Sequence, residues 1–215
     1  MTSEPIANYA MLSDCRSAAL VSAAGSVDWL CFPRFDSPSV FGRILGEDAG
    51  YWAIRPAGPH TSKRRYLGPT MGLETLHNQA RRTGKVTDAL VLGDGNRGHE
   101  LGAGAPGTIL RQVDCVDGEV EMEVVFAPRP DYGLVRPLLE DTAGGILVHG
   151  GADMLAFSTP VPFELDDGQA RAKPVLQAGA VLGFALHHPN AGPVPPVFGS
   201  QQAIRPRLVD TPVGV

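Results

Sequence analysis

A chain of 215 residues with 43% apolar content is long enough for one large domain and too apolar to be a disordered polymer. Its 26 glycines and 19 prolines, set against only 19% charged residues, favour many short strands joined by turns over a helical bundle. A net charge of −5 argues against a nucleic-acid partner, and no stretch approaches the roughly 20 apolar residues of a membrane helix, so neither nucleic acid nor membrane is expected as a partner.

The N-terminal "MTSEPIANYAMLSDC" has neither the basic start nor the apolar run of a signal peptide, and a cytoplasmic location is the expectation. "AALVS" and "SVDWLC", within residues 18–31, flank Ala24-Gly25 and predict a hairpin, the glycine supplying the positive φ of a tight turn. Ser37-Pro38 has the form of a helix start. Val40, Phe41, Ile44 and Leu45 recur at helical spacing and Gly46 is a stop, which predicts one short helix over 38–45. "YWAIRP" (51–56) predicts a strand. "KRRY" (63–66) has the composition of a solvated loop edge, and 72–92 predicts a second hairpin broken at "TGK".

"TILRQVDCV" (108–116) and "EVEMEVVF" (119–126), joined by Asp117-Gly118, carry the strongest hairpin signal in the chain. Segments at 144–150, 154–159, 163–165, 169–173 and 180–188 bring the count to about ten short strands, with Asp166-Asp167-Gly168 as a further turn. Residues 92–107 predict a glycine-rich loop. The fold class expected is all-β, a two-sheet antiparallel sandwich over 1–188. Residues 189–215, with six prolines and no hydrophobic period, are expected to form a linker or tail.

Several chemistries are tested against these elements. Glu119, Glu121 and Glu123 alternate with Val120, Met122 and Val124, so the carboxylates share one strand face. A glycosidase pair would need two carboxylates flanking one bond, and the solvated face of a half-buried sheet explains the row better. His187 and His188 are adjacent on a strand, point to opposite faces and do not suit one metal. "GDGNRG" lacks the Lys-Ser/Thr of a phosphate loop. Cys15, Cys31 and Cys115 form neither a disulfide framework nor a zinc motif, and Cys15 and Cys31 are expected to be buried thiols. No metal or cofactor is expected.

"SVDWLCFPRFDSPSVFGRIL" (26–45) is the segment that stands out. A strand carrying Trp29 ends in Pro33, and Arg34, Phe35 and Asp36 follow between Pro33 and Pro38, two rings that stiffen the loop. Asp36 can cap the predicted helix with Ser37 while Arg34 pairs with it, or the trio can be a recognition surface; the two readings stand equal on the residues alone.

"NYAMLSDCRSAALVSAAGSVDWLCFPRFDSPSVFGRIL" resembles the opening of bacterial glycoside hydrolase family 15 proteins, the glucoamylase- and trehalase-like enzymes. The resemblance continues through "YWAIRP", "RRYLGPTMGLETLH", "GKVTDAL" and "RQVDCVDGEVEMEVVFAPRPDYG", spanning about residues 6–133 clearly and 134–188 loosely. It implies a β-sandwich that packs on an (α/α)₆ barrel, present in cis or in trans. In such proteins the barrel carries two catalytic glutamates and hydrolyses α-glucosidic bonds with inversion. That barrel is not in this chain, so no position inherits a catalytic role and the chain is expected to be inactive alone.

The resemblance does not separate a glucoamylase from a trehalase as the parent activity. It makes Trp29, Arg34, Phe35 and Asp36 the candidate loop facing the barrel near its substrate pocket, with an exposed apolar patch there that includes the 38–45 helix. Two other readings are an inactive truncated remnant and an independent carbohydrate-binding module, for α-glucan or trehalose, stacking sugars on Trp29, Tyr51 and Trp52.

Overall fold

The computed structural model describes residues 4–93, 100–151 and 153–189. The chain is folded as two antiparallel sheets with a single 3₁₀ turn, Ile6–Asn8, among the described residues. The first sheet is built from β1 (Tyr9–Ser13), β2 (Ala18–Ser22), β3 (Ser26–Cys31), β4 (Ser39–Phe41), β5 (Tyr51–Pro56), β10 (Glu119–Ala127), β14 (Glu164–Asp166), β15 (Gln169–Ala172) and β16 (Val175–Gln177). Its order is β1-β2-β3-β5-β10-β15-β14, with β4 paired to β3 and β16 to β10. The second sheet contains β6 (Thr61–Tyr66), β7 (Leu73–Gln79), β8 (Arg82–Leu90), β9 (Thr108–Asp117), β11 (Leu138–Thr142), β12 (Gly145–Gly150), β13 (Asp153–Ser158) and β17 (Val181–His187). Its order is β11-β12-β13-β17-β9-β8-β7-β6.

The core lies between the sheets. Trp52 and Phe126 from the first sheet meet Phe157 and Phe184 from the second. Phe126 stacks on Phe157 at 4.2 Å, and Trp52 stands edge-on to Phe157 at 5.2 Å. Such offset and edge-on pairs add to the free energy of their area burial. Arg111 crosses the same layer: its guanidinium lies 2.9 Å from Asp88 and donates to the carbonyls of Trp52 (2.6 Å) and Gly25 (2.8 Å). A cation from one sheet thus holds two carbonyls of the other.

The sandwich, the β2–β3 hairpin and the strand at Tyr51–Pro56 agree with the sequence reading. Three expectations are corrected. First, no helix forms at 38–45. Ser37 turns backward, its Oγ accepting the Arg34 amide at 3.2 Å, and Ser39–Phe41 is a strand buried at every position against β3. Helical spacing matched Val40 and Phe41 only because both sides of this short strand are covered.

Second, β9 and β10 are not a hairpin. Both sides of β9 are taken by β8 and β17, and both sides of β10 by β5 and by β15 and β16. The Asp117-Gly118 pair therefore turns a corner between sheets, with Gly118 at φ +71°. Third, "TGK" lies inside β8, where Gly84 marks a register shift in its pairing with β9; the turn falls at Ala80-Arg81. A glycine in a strand signals a bulge as readily as a break.

Smaller differences follow the same logic. "KRRY" is solvated but lies on the edge strand β6, not in a loop. Cys31 is buried as expected, whereas Cys15 is exposed in a left-handed turn at φ +66°. The expected tail at 189–215 and part of the 92–107 loop lie outside the described residues, apart from Pro189.

Candidate functional site

β3 carries an extra residue opposite β2, since Val21 faces Val27 while Leu20 faces Trp29. The bulge resets the alternation, so Val27 and Leu30, three apart, both reach the core. Asp28 and Trp29 are released from it. Asp28 is nonetheless buried and fully engaged: Ser26 Oγ donates at 2.5 Å, Tyr9 OH at 3.0 Å, and Arg43 lies 4.0 Å away. Burial raises its carboxyl pKa against the lowering effect of those hydrogen bonds, and burial together with Asp28 raises the Tyr9 phenol.

Asp28 forms part of the wall of a cleft of about 670 Å³ that also takes in Tyr9, Arg43, Leu45 and Arg55. Its hydrogen bonds tie β1 to β3, which is an anchoring role. The sequence reading passed over it, although a lone carboxylate inside "SVDWLC" was the available signal.

Trp29 lies on β3, ahead of the loop that carries the other three predicted residues. It packs on Tyr132, ring centroids 6.3 Å apart, a residue held with Asp131 in consecutive left-handed conformations. Arg34, Phe35 and Asp36 do come together, on the loop that follows the cis Phe32–Pro33 bond. Arg34 Nε lies 2.8 Å from Asp36 Oδ1, and that hydrogen bond lowers the Asp36 carboxyl pKa. Both side chains are largely exposed, at 63% and 70%, and Phe35 between them is 58% exposed.

An aromatic ring flanked by two charges already paired with each other is suited to being covered by a protein surface, since neither charge is left alone when water is removed. The loop holds no helix cap, because there is no helix to cap.

Two supports fix this loop from behind. The Phe35 amide donates to the Arg16 carbonyl at 2.8 Å, and the Ser37 amide to the Arg34 carbonyl at 3.1 Å. At its root Phe32 is buried, its ring 6.3 Å from that of His188, and the His188 amide donates to the Gly107 carbonyl at 2.9 Å. The chain therefore leaves β17, the last strand among the described residues, beside the base of the Arg34–Asp36 loop.

The other candidate chemistries resolve in the same structure. Glu119 and Glu121 are solvated, and Glu123 pairs with Arg55 at 2.8 Å, while Val120, Met122 and Val124 are core. His187 bonds Thr108 Oγ1 at 2.7 Å. Trp52 is fully buried, and the half-buried Tyr51 has the Arg43 guanidinium 4.3 Å over its ring, so the trio proposed for sugar stacking is not a platform.

Comparison with known proteins gives the frame for this geometry. A family described as "Trehalase-like, N-terminal" matches residues 1–182. A trehalase of Mycolicibacterium smegmatis is 43% identical over 200 residues, which cover 85% of this chain and 30% of that protein. A trehalase of Mycobacterium tuberculosis is 36% identical with 85% and 29% covered, and trehalase 1 of Sulfolobus acidocaldarius 32% identical with 57% and 19% covered. The chain spans under a third of the length of these curated relatives. On the breadth of that match, the chain belongs to the trehalase-like N-terminal domain family.

Proposed function

We propose that this sandwich is the non-catalytic N-terminal part of a trehalase-like hydrolase of the glycoside hydrolase family 15 type. It packs on and supports a catalytic (α/α)₆ barrel, with Arg34, Phe35 and Asp36 facing that barrel near its substrate pocket. The observation that carries this reading is the packing of His188 on Phe32, which brings the end of the sandwich next to the exposed loop. Phe32 stands at the root of the loop that carries Phe35. The trehalases it resembles are more than three times as long as the matched region, which leaves room for a catalytic domain. The substrate of the assembled protein is then an α-glucoside, trehalose being the one named by its relatives.

The test is alanine at the positions matching Arg34 and Phe35 in the full-length Mycolicibacterium smegmatis trehalase. Loss of turnover or a raised KM, with the sandwich still folded, is the expected result. Unchanged kinetics in both variants would refute the placement of the loop. The purified chain alone is expected to release no glucose from trehalose, and release at enzyme-like rates would refute the non-catalytic assignment.

A further inference from the structure

Behind the exposed loop lies a second turn, Asp14-Cys15-Arg16-Ser17, joining β1 to β2. Asp14 is buried, 1% exposed, in a turn otherwise open to solvent at Cys15. Its Oδ1 accepts two backbone amides, from Arg16 at 2.9 Å and Ser17 at 2.6 Å. Those bonds hold Cys15 in its left-handed conformation, which a non-glycine residue adopts only at a cost. Asp14 Oδ2 is buried without a hydrogen-bond partner among the described residues.

The two residues that Asp14 grips both hold the 31–35 segment. Ser17 Oγ donates to the Cys31 carbonyl, and the Arg16 carbonyl accepts from the Phe35 amide at 2.8 Å. One contact precedes the Phe32–Pro33 bond and the other follows it. On the far side, Gly102 closes against the same turn: a Cβ there would stand 2.6 Å from the Asp14 carbonyl oxygen and 2.9 Å from Cys15 Cβ. The turn is thus clamped between the glycine and the loop. Inside it Ser13 Oγ accepts the Cys15 amide at 3.1 Å and donates to the Ser17 carbonyl at 2.9 Å, while the Asp14 carboxylate is the group that holds the Arg16 and Ser17 amides.

We propose that Asp14 is the positioning residue of the Arg34–Asp36 loop, fixing Phe35 through the backbone of Arg16 and Ser17. The charge of Asp14 is not what the geometry uses. The acceptor at Oδ1 is, so asparagine can take the same part. The consequence for docking rests on the functional reading above, but the positioning is measured in the chain by itself, so either can fail without the other.

The experiment is residue-resolved amide hydrogen exchange by NMR on the chain and on Asp14→Ala, Asp14→Asn and Gly102→Ala. In Asp14→Ala the Phe35 amide is expected to exchange about tenfold faster, while Val124 and Leu110 amides in the sheet centres keep their rates. Asp14→Asn is expected to restore the slow rate. Gly102→Ala, whose added methyl would meet Asp14 and Cys15 first, is expected to speed Phe35 as well, and it carries the test if Asp14→Ala does not fold.

A Phe35 rate unmoved by both Asp14→Ala and Gly102→Ala would overturn the assignment. So would a uniform acceleration of Phe35 and the core amides, which marks general destabilisation, or a failure of asparagine to restore the rate.

Discussion

Arg111 has the most consequential side chain in the molecule. Fully buried, it balances Asp88 and satisfies two carbonyls of the opposite sheet, with its guanidinium also 5.0 Å from the Trp52 ring centroid. Removing one member of such a pair leaves an uncompensated buried charge, which costs about 3–5 kcal/mol. Arg111→Met is therefore expected to lower the unfolding free energy by that amount in urea titrations. The double variant Arg111→Met with Asp88→Leu should recover part of the loss, and a single variant within about 1 kcal/mol of the parent would contradict this account of the core.

His77 contributes to the pH dependence of stability at the same scale. It is buried, its Nδ1 bonded to Ser62 Oγ at 2.9 Å and its Nε2 without a partner among the described residues. Burial, with His60 and Arg111 nearby, lowers its pKa from 6.5 to about 3. Above pH 6.5 the ring is neutral in both folded and unfolded chains and contributes nothing. As pH falls from 6.5 towards 3 the unfolded chain gains a proton that the folded chain refuses, so stability falls by up to about 1.4 kcal/mol per pH unit. His77→Gln should lose less stability than the parent between pH 6.5 and 5, by about 2 kcal/mol in denaturant midpoint comparisons. Equal slopes would mean that His77 titrates normally.

Among the elements, the turns decide what the chain can tolerate. Gly145 opens β12 at φ +146°, and a Cβ there would lie 2.0 Å from the Phe157 carbonyl oxygen, beside the aromatic stack. Gly145→Ala is expected to cost at least about 2 kcal/mol, a fall in melting temperature of roughly 4–8 °C by calorimetry. Phe35→Ala, on an exposed loop, should change that temperature little.

The turns also separate what was legible in the sequence from what was not. Period-two alternation over Glu119–Val124 placed the core face of β10 correctly, because burial on one side leaves a pattern in the residues themselves. The partner of β10 left no such pattern. Asp-Gly describes a tight turn, and a tight turn serves a corner between sheets as well as a hairpin; only the occupancy of both strand edges distinguishes them. The same limit applies to Ser39–Phe41, where burial of every position erased the alternation that marks a strand. Of the site, the ion pair of Arg34 and Asp36 was readable from proximity in the chain, while Asp14 acts on Phe35 only through Arg16, whose carbonyl accepts the Phe35 amide from a segment distant in the chain.

In the molecule as a whole, two of the sheet edges, β1 and β6, are protected. The Tyr66 hydroxyl engages both backbone groups of Met11 on edge strand β1, at 3.0 Å each, and β6 carries Lys63, Arg64 and Arg65 on the opposite sheet's edge. Occupied backbone groups and charged edges are devices against sheet-to-sheet aggregation, which gives the basic run a use that needs no nucleic acid. The turn at Asp14, the loop at Arg34–Asp36 and the contacts of His188 with Phe32 and Gly107 lie together, and the surface they form is the one proposed to meet the catalytic domain.

The most direct measurement is a crystal structure of the full-length Mycolicibacterium smegmatis trehalase. The residue matching Phe35 should be buried against the catalytic domain, with the pair matching Arg34 and Asp36 at the rim of that contact. Finding those three in solvent, with the catalytic domain seated on another face of the sandwich, would contradict the account.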